Sequence, residues 1–216
     1  MSYEEDYHRT VHDYLHDDAI YERWAKIHRR RYFSRIQPQH AVFEFGCGLG
    51  QNLYGLPAQE KVGYDISAYA REFCAKKGLQ VLDSIESLRL KSFDFVISRH
   101  SLEHLEDPVG NLRLLGSLIK PGGRLILVLP EERPYKVRRY EPDVDNHLFS
   151  WTPRTLANLL YHTGFVVESI RREPNSGLRF FSKISDLSYP LFRFGMRSTD
   201  LFRRVIGEWI AEAIRR

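Results

Sequence analysis

The stretch AVFEFGCGLGQN, Ala41 to Asn52, constrains the fold of this chain more than any other, because an apolar strand runs directly into a glycine-rich turn. The run AVFEF reads as a strand buried in the interior of a sheet. Gly46, Gly48 and Gly50 follow at alternate positions, so the turn has backbone where side chains would otherwise stand. Such a turn lets a ligand lie against the main chain. In an open sheet of alternating strands and helices, that ligand belongs beyond the carboxyl ends of the strands.

The rest of the chain supplies the alternation. KVGYD (Lys61–Asp65), LQVLD (Leu79–Asp83), FDFVIS (Phe93–Ser98) and RLILVLP (Arg124–Pro130) read as further strands, the last taken as the central one. A helix is expected over Tyr7–Ile36, another over Ala68–Lys77 with Ser67 as its cap, a third over Pro108–Ile119, and a fourth from Thr152-Pro153 to His162. FVVESIRRE and LRFFSKIS read as two strands around a Pro-Asn-Ser-Gly turn, which would make the last strand antiparallel. Ser198–Arg216 reads as an amphipathic helix. The order β-α-β-α-β-β-α-β-α-β-β predicts an α/β fold. Its core is a doubly wound, mostly parallel seven-stranded sheet with an antiparallel last strand. The expected division is an N-terminal helical lid over 1–36, a ligand-binding core over 37–185, and a basic C-terminal helical extension over 186–216.

Composition narrows the setting. A chain of 216 residues, 43% hydrophobic and 28% charged, suits one globular domain with additions rather than a disordered segment. The opening MSYEEDYHRT carries no secretory signal, and LILVL is too short to span a bilayer. Cys47 and Cys74 are too few for a disulfide framework, so a cytoplasmic location is expected. From Arg171 to Arg216 there are ten basic and five acidic residues, more than the whole net charge of +4. That excess suits lipid headgroups, a pyrophosphate-bearing substrate or nucleic acid, or is simply a solvated basic face.

The loop itself weighs against two ligands. A dinucleotide fingerprint wants glycine where Gln51 stands, and a phosphate-binding P-loop needs a Gly-Lys-Ser/Thr ending that is missing. With Glu44 ahead of G-x-G-x-G, the chain resembles the class I S-adenosylmethionine-dependent methyltransferases. FDFVISRHSLEHLEDP and LIKPGGRLILVLP are similar to their fourth- and fifth-strand motifs, and the resemblance covers roughly 36–185. It implies a Rossmann-like methyltransferase fold, S-adenosylmethionine as cofactor and S-adenosylhomocysteine as product. It also implies a cofactor site made of Glu44, Gly46, Cys47, Gly48, Gly50, Asn52, Asp65, Ile66, Asp83, Ser84 and Arg99. In it Asp65 holds the ribose, Asp83-Ser84 lines the adenine, and Glu44 accepts hydrogen bonds near the methionine end or within the loop. Cys47 is read as a small side chain between two glycines, not as a nucleophile.

Methyl transfer from a sulfonium needs no general acid, because the leaving group is a neutral thioether; a hydroxyl acceptor does need a base. SRHSLEH after the fourth strand is not the Asn/Asp-Pro-Pro-aromatic motif of base-amino methylases, and no Pro-Cys pair offers the nucleophile for C5-cytosine chemistry. A small-molecule or glycan-type acceptor is therefore expected, O-methylated. The rivals are an RNA methyltransferase, a non-catalytic cofactor-binding scaffold and a nicotinamide-dependent oxidoreductase. His100, His104 and His147 are the candidate catalytic residues. By the same resemblance, His100-x-x-Glu103-His104 stands where ubiquinone-biosynthesis O-methyltransferases carry Glu-x-x-Glu-His, a motif associated with a divalent metal. With histidine in the first place a hard-cation site is disfavoured, and no metal ligand is assigned. Arg133, Lys136, Arg138 and Arg139, with Tyr135 and Tyr140, suit an anionic acceptor or form a solvated loop. His8, His12 and His16 read as a polar helix face. Tyr14, Tyr21 and Trp24 either cap the cofactor mouth or pack in the core. The basic tail helix covers the sheet or a second subunit, or makes peripheral membrane contact.

Overall fold

The computed structural model describes residues 13–88, 92–132, 146–175, 178–203 and 207–216, with backbone only at 178–181 and 201–203. Seven strands form one sheet: β1 (Ala41–Phe45), β2 (Glu60–Tyr64), β3 (Gln80–Leu82), β4 (Phe93–Arg99), β5 (Ile119–Pro130), β6 (Phe165–Pro174) and β7 (Gly207–Arg215). Their order across the sheet is β3-β2-β1-β4-β5-β7-β6. The first five strands run parallel, while β7 pairs antiparallel with both β5 and β6. β4, not β5, takes the middle place.

The helices are α1 (Asp18–Tyr32), α2 (Gln51–Gly55), α3 (Ala68–Lys76), α4 (Pro108–Ser117), α5 (Pro153–His162), α6 (Leu178–Leu187) and α7 (Tyr189–Arg203). Their starts follow local chemistry. Ser67 Oγ accepts from the Ala70 amide at 3.2 Å and Asp107 caps α4 through the Gly110 amide at 2.8 Å. Thr152 and Thr155 form a reciprocal capping box with Pro153 in the first turn of α5.

Both faces of the sheet are buried, which is why β1 is buried throughout and apolar but for Glu44. Phe43, Val96, Leu127, Leu112 and Leu156 pack on one side under α4 and α5. Val42, Ile97, Ile126, Leu53 and Tyr32 pack on the other, under α1 and α2. A third cluster joins Tyr21, Trp24 and Ile27 of α1 to Phe192 and Met196 of α7.

The end of the chain departs from expectation. LRFFSKIS lies in α6, not in a hairpin strand, and its turn residues Ser176 and Gly177 lie outside the described residues. The tail is helical only to Arg203; Gly207–Arg215 is a strand, not the continuation of an amphipathic helix. Leu178, Phe181 and Ile184 fit a helical period as well as a strand, so the short apolar run is ambiguous by pattern. GEWIAEAIR contains helix formers, but it fills the slot between β5 and β6, where Ala211 faces Leu127 on one side and Ile170 on the other. Completing two ladders of backbone hydrogen bonds outweighs local propensity. The antiparallel strand of the fold thus exists, made by other residues than the sequence pattern suggests. The expected basic extension over 186–216 is in part a sheet strand.

Candidate functional site

The loop after β1 is held from three directions. Gly46 and Gly50 have φ of +67° and +75°. A Cβ on Gly46 would fall 2.1 Å from Ser101 Oγ, and one on Gly50 would fall 2.6 Å from Leu79 Cδ1. Glycine is required at both places for conformation and for space. The amides of Gly46 and Cys47 donate to the Tyr64 carbonyl at 2.9 and 3.0 Å. Asp65 Oδ2 accepts from the Gly48 amide at 2.7 Å, and its Oδ1 accepts from the Ser67 amide at 2.9 Å. From the far side, Tyr21 Oη donates to the Leu49 carbonyl at 2.8 Å. Asp65 therefore clamps loop and helix start together, and each of its oxygens keeps a lone pair for a ligand hydroxyl.

Beyond this loop opens a cavity of about 800 Å³, within the range of small-molecule sites. Gly46, Gly48, Asp65, Ile66, Asp83 and Ser84 form one wall, over Phe45 and Tyr64, whose rings stack at 5.3 Å. His100, Ser101, His104, Leu105, Leu114 and Asn146 complete the lining, with Ser101 against the loop, its Oγ donating to the Gly46 carbonyl at 3.3 Å. Glu44, Cys47, Gly50, Asn52, Arg99 and His147 do not line it. Glu44 is fully buried beneath the loop and accepts from Asn52 Nδ2 at 2.6 Å; Asn52 Oδ1 is 2.7 Å from His28 Nδ1. Burial pushes the Glu44 carboxyl up to about 8, against the pull of Asn52 and Arg99. His28 is kept well below the usual imidazole range by burial, then by the charge of Arg99. The Cys47 thiol is raised by contact with Cys74 and by burial, which makes it a poor nucleophile and fits a packing role.

Arg99 turns away from the cavity toward Glu208, a residue of β7 that sequence reasoning missed. Glu208 is fully buried. Arg99 Nη2 donates to its Oε1 at 3.0 Å, Arg31 Nη2 approaches Oε2 at 3.5 Å, and the Tyr32 hydroxyl donates to the same Oε2. His100 Nε2 stands 2.8 Å from Oε1, at ion-pair distance but off the line of a well-aligned hydrogen bond. Burial alone would raise the Glu208 carboxyl; Arg99, His100 and Arg31 more than offset it and hold it well below the usual range. His100 has φ of +51°, a strained backbone held by its amide donating to the Val128 carbonyl at 2.9 Å. No local motif marks Glu208; only the pairing of β7 with β5 brings it here.

A second cluster lies at the mouth. The amides of Leu148 and Phe149 both donate to the Glu103 carbonyl, at 2.8 and 3.2 Å, and so draw the 146–149 segment onto the turn after β4. The rings of His104 and His147 meet edge to face at 4.9 Å. The ligand atoms of Glu103, His104 and His147 all lie within 4.8 Å of one another, an arrangement that could hold a metal ion. Glu103 is fully buried, and neither of its carboxylate oxygens has a hydrogen-bond partner among the described residues. His147 Nδ1 is 2.5 Å from Glu132 Oε1, the kind of outer carboxylate contact that orients a metal-binding imidazole. The sequence assigned no metal ligand; what it could not convey is that His147 folds back onto Glu103 and His104. His8, His12 and the basic loop from Arg133 to Tyr140 lie outside the described residues. Tyr21 and Trp24 are buried in the third cluster rather than set at the cavity wall.

The sheet order, the glycine loop and the carboxylate closing β2 define a class I S-adenosylmethionine-dependent methyltransferase. Residues 14–170 match the family described as a methyltransferase domain, and the chain belongs to that family. S-adenosylmethionine is the cofactor of this class. Among curated proteins, the chain is similar to the ubiquinone biosynthesis O-methyltransferase of Xanthomonas axonopodis pv. citri (strain 306), 35% identical over 107 residues. That match covers 44% of this chain and 45% of the relative, so the chain spans under half the length of that protein. Among solved structures, a SAM-dependent methyltransferase from Archaeoglobus fulgidus is 23% identical with a TM-score of 0.61, over 90% of this chain and 94% of that one. The Burkholderia thailandensis 1,6-didemethyltoxoflavin-N1-methyltransferase, solved with bound 1,6-didemethyltoxoflavin and S-adenosylhomocysteine, is 15% identical with a TM-score of 0.62, over 98% of this chain and 86% of that one. At those identities the structures establish shared fold alone.

Proposed function

We infer that the chain O-methylates a small-molecule acceptor, with His100 as the general base. The observation that carries this reading is the pairing of His100 with buried Glu208 in the lining of the same cavity as Asp65 and the glycine loop. The cofactor fits the near wall: backbone free of side chains at Gly46 and Gly48, with the Asp65 carboxylate beside it. When bound, S-adenosylmethionine supplies an electrophilic methyl group and departs as S-adenosylhomocysteine. Glu208 faces His100 Nε2, which leaves Nδ1 as the nitrogen to take the proton from an acceptor hydroxyl. The carboxylate stabilises the imidazolium that results, and the wall of Leu105 and Leu114 offers apolar surface to an acceptor ring.

A second reading is favoured by Glu103, His104 and His147. One buried carboxylate and two imidazoles suit a zinc-like or other borderline divalent ion better than magnesium. Held there, an ion would act as a Lewis acid beside the acceptor, with Glu132 orienting His147. A glycan or anionic acceptor and a cytoplasmic location remain parts of the proposal.

The test is release of S-adenosylhomocysteine on incubation with phenols, catechols, sugar-nucleotide glycans and RNA, for the native chain and for His100→Gln. Turnover on a phenol or catechol, lowered about 10²-fold or more in His100→Gln, is expected. Turnover only on RNA would overturn the reading, as would tight cofactor binding with no turnover on any acceptor. Loss of activity with a chelator, restored by zinc, would replace the base by the metal.

A further inference from the structure

Helices α6 and α7 stand between β6 and β7 in sequence, and α7 is apolar on two opposite faces. Its inner face is satisfied: Phe192 and Met196, one turn apart, are buried against Leu15 and Trp24. Leu191 and Phe194 project on the opposite side, 52% and 68% exposed, and Leu187 at the end of α6 is 87% exposed. Leu187 and Phe194 are the two most exposed large apolar side chains among the described residues. A face of this kind, unsupported by the core, marks a contact surface.

The surrounding charge is basic. Lys183 and Arg197 are exposed on α6 and α7, with no carboxylate partner among the described residues. The acids of the two helices are occupied: Asp186 pairs with Arg23 at 2.6 Å and Asp200 with Arg172 at 2.6 Å. Alongside, α1 exposes Lys26, Arg29 and Arg30 on one face, with Glu22 at its start. The Arg30 guanidinium lies 5.2 Å over the Tyr189 ring, which joins that basic face to the first turn of α7.

We propose that the α6–α7 pair docks this protein onto an anionic lipid bilayer, with Leu187, Leu191 and Phe194 entering the interface and Lys183 and Arg197 meeting the headgroups. Apolar tips ringed by cations are the features that bind such a surface. A second copy of the chain is the weaker fit, because a two-fold contact would set the same cations against each other. The proposal uses residues apart from the cavity and stands independently of the methyl-transfer reading.

The experiment is co-sedimentation of the full chain with vesicles of phosphatidylcholine alone or with about a third phosphatidylglycerol. Binding is expected to the anionic vesicles only, to weaken in about 0.5 M salt, and to fall at least about tenfold in Leu191→Glu/Phe194→Glu. Unchanged affinity for S-adenosylhomocysteine would show that the variant is folded. Should it fail to fold, Phe194→Cys carrying an environment-sensitive dye gives the same answer, since the native cysteines Cys47 and Cys74 are buried. A blue shift with anionic vesicles is then expected. Equal binding to both vesicle types, binding to neither, or no shift of the dye would overturn the proposal. So would a concentration-dependent dimer that Phe194→Glu dissolves.

Discussion

Gly46 shows how much a single missing side chain decides. Gly46→Ala would place a methyl within 2.1 Å of Ser101 Oγ at a φ of +67°, and the strain is worth about 1–3 kcal/mol. The expected result by calorimetry and thermal melting is at least tenfold weaker S-adenosylhomocysteine binding with a lowered melting temperature. Adding Ser101→Gly should recover only part, because the clash goes while the backbone strain stays. Glu44 offers a test by pH. Its carboxyl titrates near about 8 when folded, against 4.5 unfolded, so between those values the native state keeps a proton that the unfolded chain has released. Stability from this group is therefore full below about pH 4.5 and declines as pH rises through about 8. Glu44→Gln should flatten that decline in melting temperature between pH 5 and 8; an unchanged slope would assign the decline to other groups. The glycine turn and the placement of Asp65 beside it were legible because both are local. Asp65 closes a strand next to the loop it clamps, and both lie in one continuous stretch of chain pattern.

Among the elements, β7 carries the most and was the least legible. Its alternation is masked by Ala and Glu, and the slot it fills is formed by β5 and β6, remote in sequence, so the long-range pairing that decides it cannot be read from a window of residues. Missing β7 meant missing Glu208. Glu208→Gln removes the anion that balances Arg99 and Arg31, and breaking a buried pair in this way costs about 3–5 kcal/mol. Chemical denaturation should register that loss near neutral pH. The depressed Glu208 carboxyl contributes stability above its unfolded value of 4.5 that is lost as pH falls below it, so the gap between native chain and variant should narrow in acid. In turnover assays Glu208→Gln should lower kcat more than it changes KM for the acceptor, because His100 loses its counter-charge. An unchanged kcat would leave Glu208 as a structural ion only.

At the scale of the molecule, the strand–loop–helix alternation carried the parallel part of the sheet and the glycine turn after β1, since each piece has its own period and its own turn chemistry. The cluster at the cavity mouth depended on folding: His147 meets His104 only because the Leu148 and Phe149 amides bind the Glu103 carbonyl. The central claim is that the loop after β1 and the carboxylate of Asp65 hold S-adenosylmethionine at the edge of the 800 Å³ cavity. Isothermal titration of S-adenosylhomocysteine into the native chain and into Asp65→Ala tests it most directly. One-to-one binding, weakened at least about tenfold in a variant whose circular dichroism is unchanged, is the predicted result. Failure of the native chain to bind, or equal affinity in Asp65→Ala, would contradict the account.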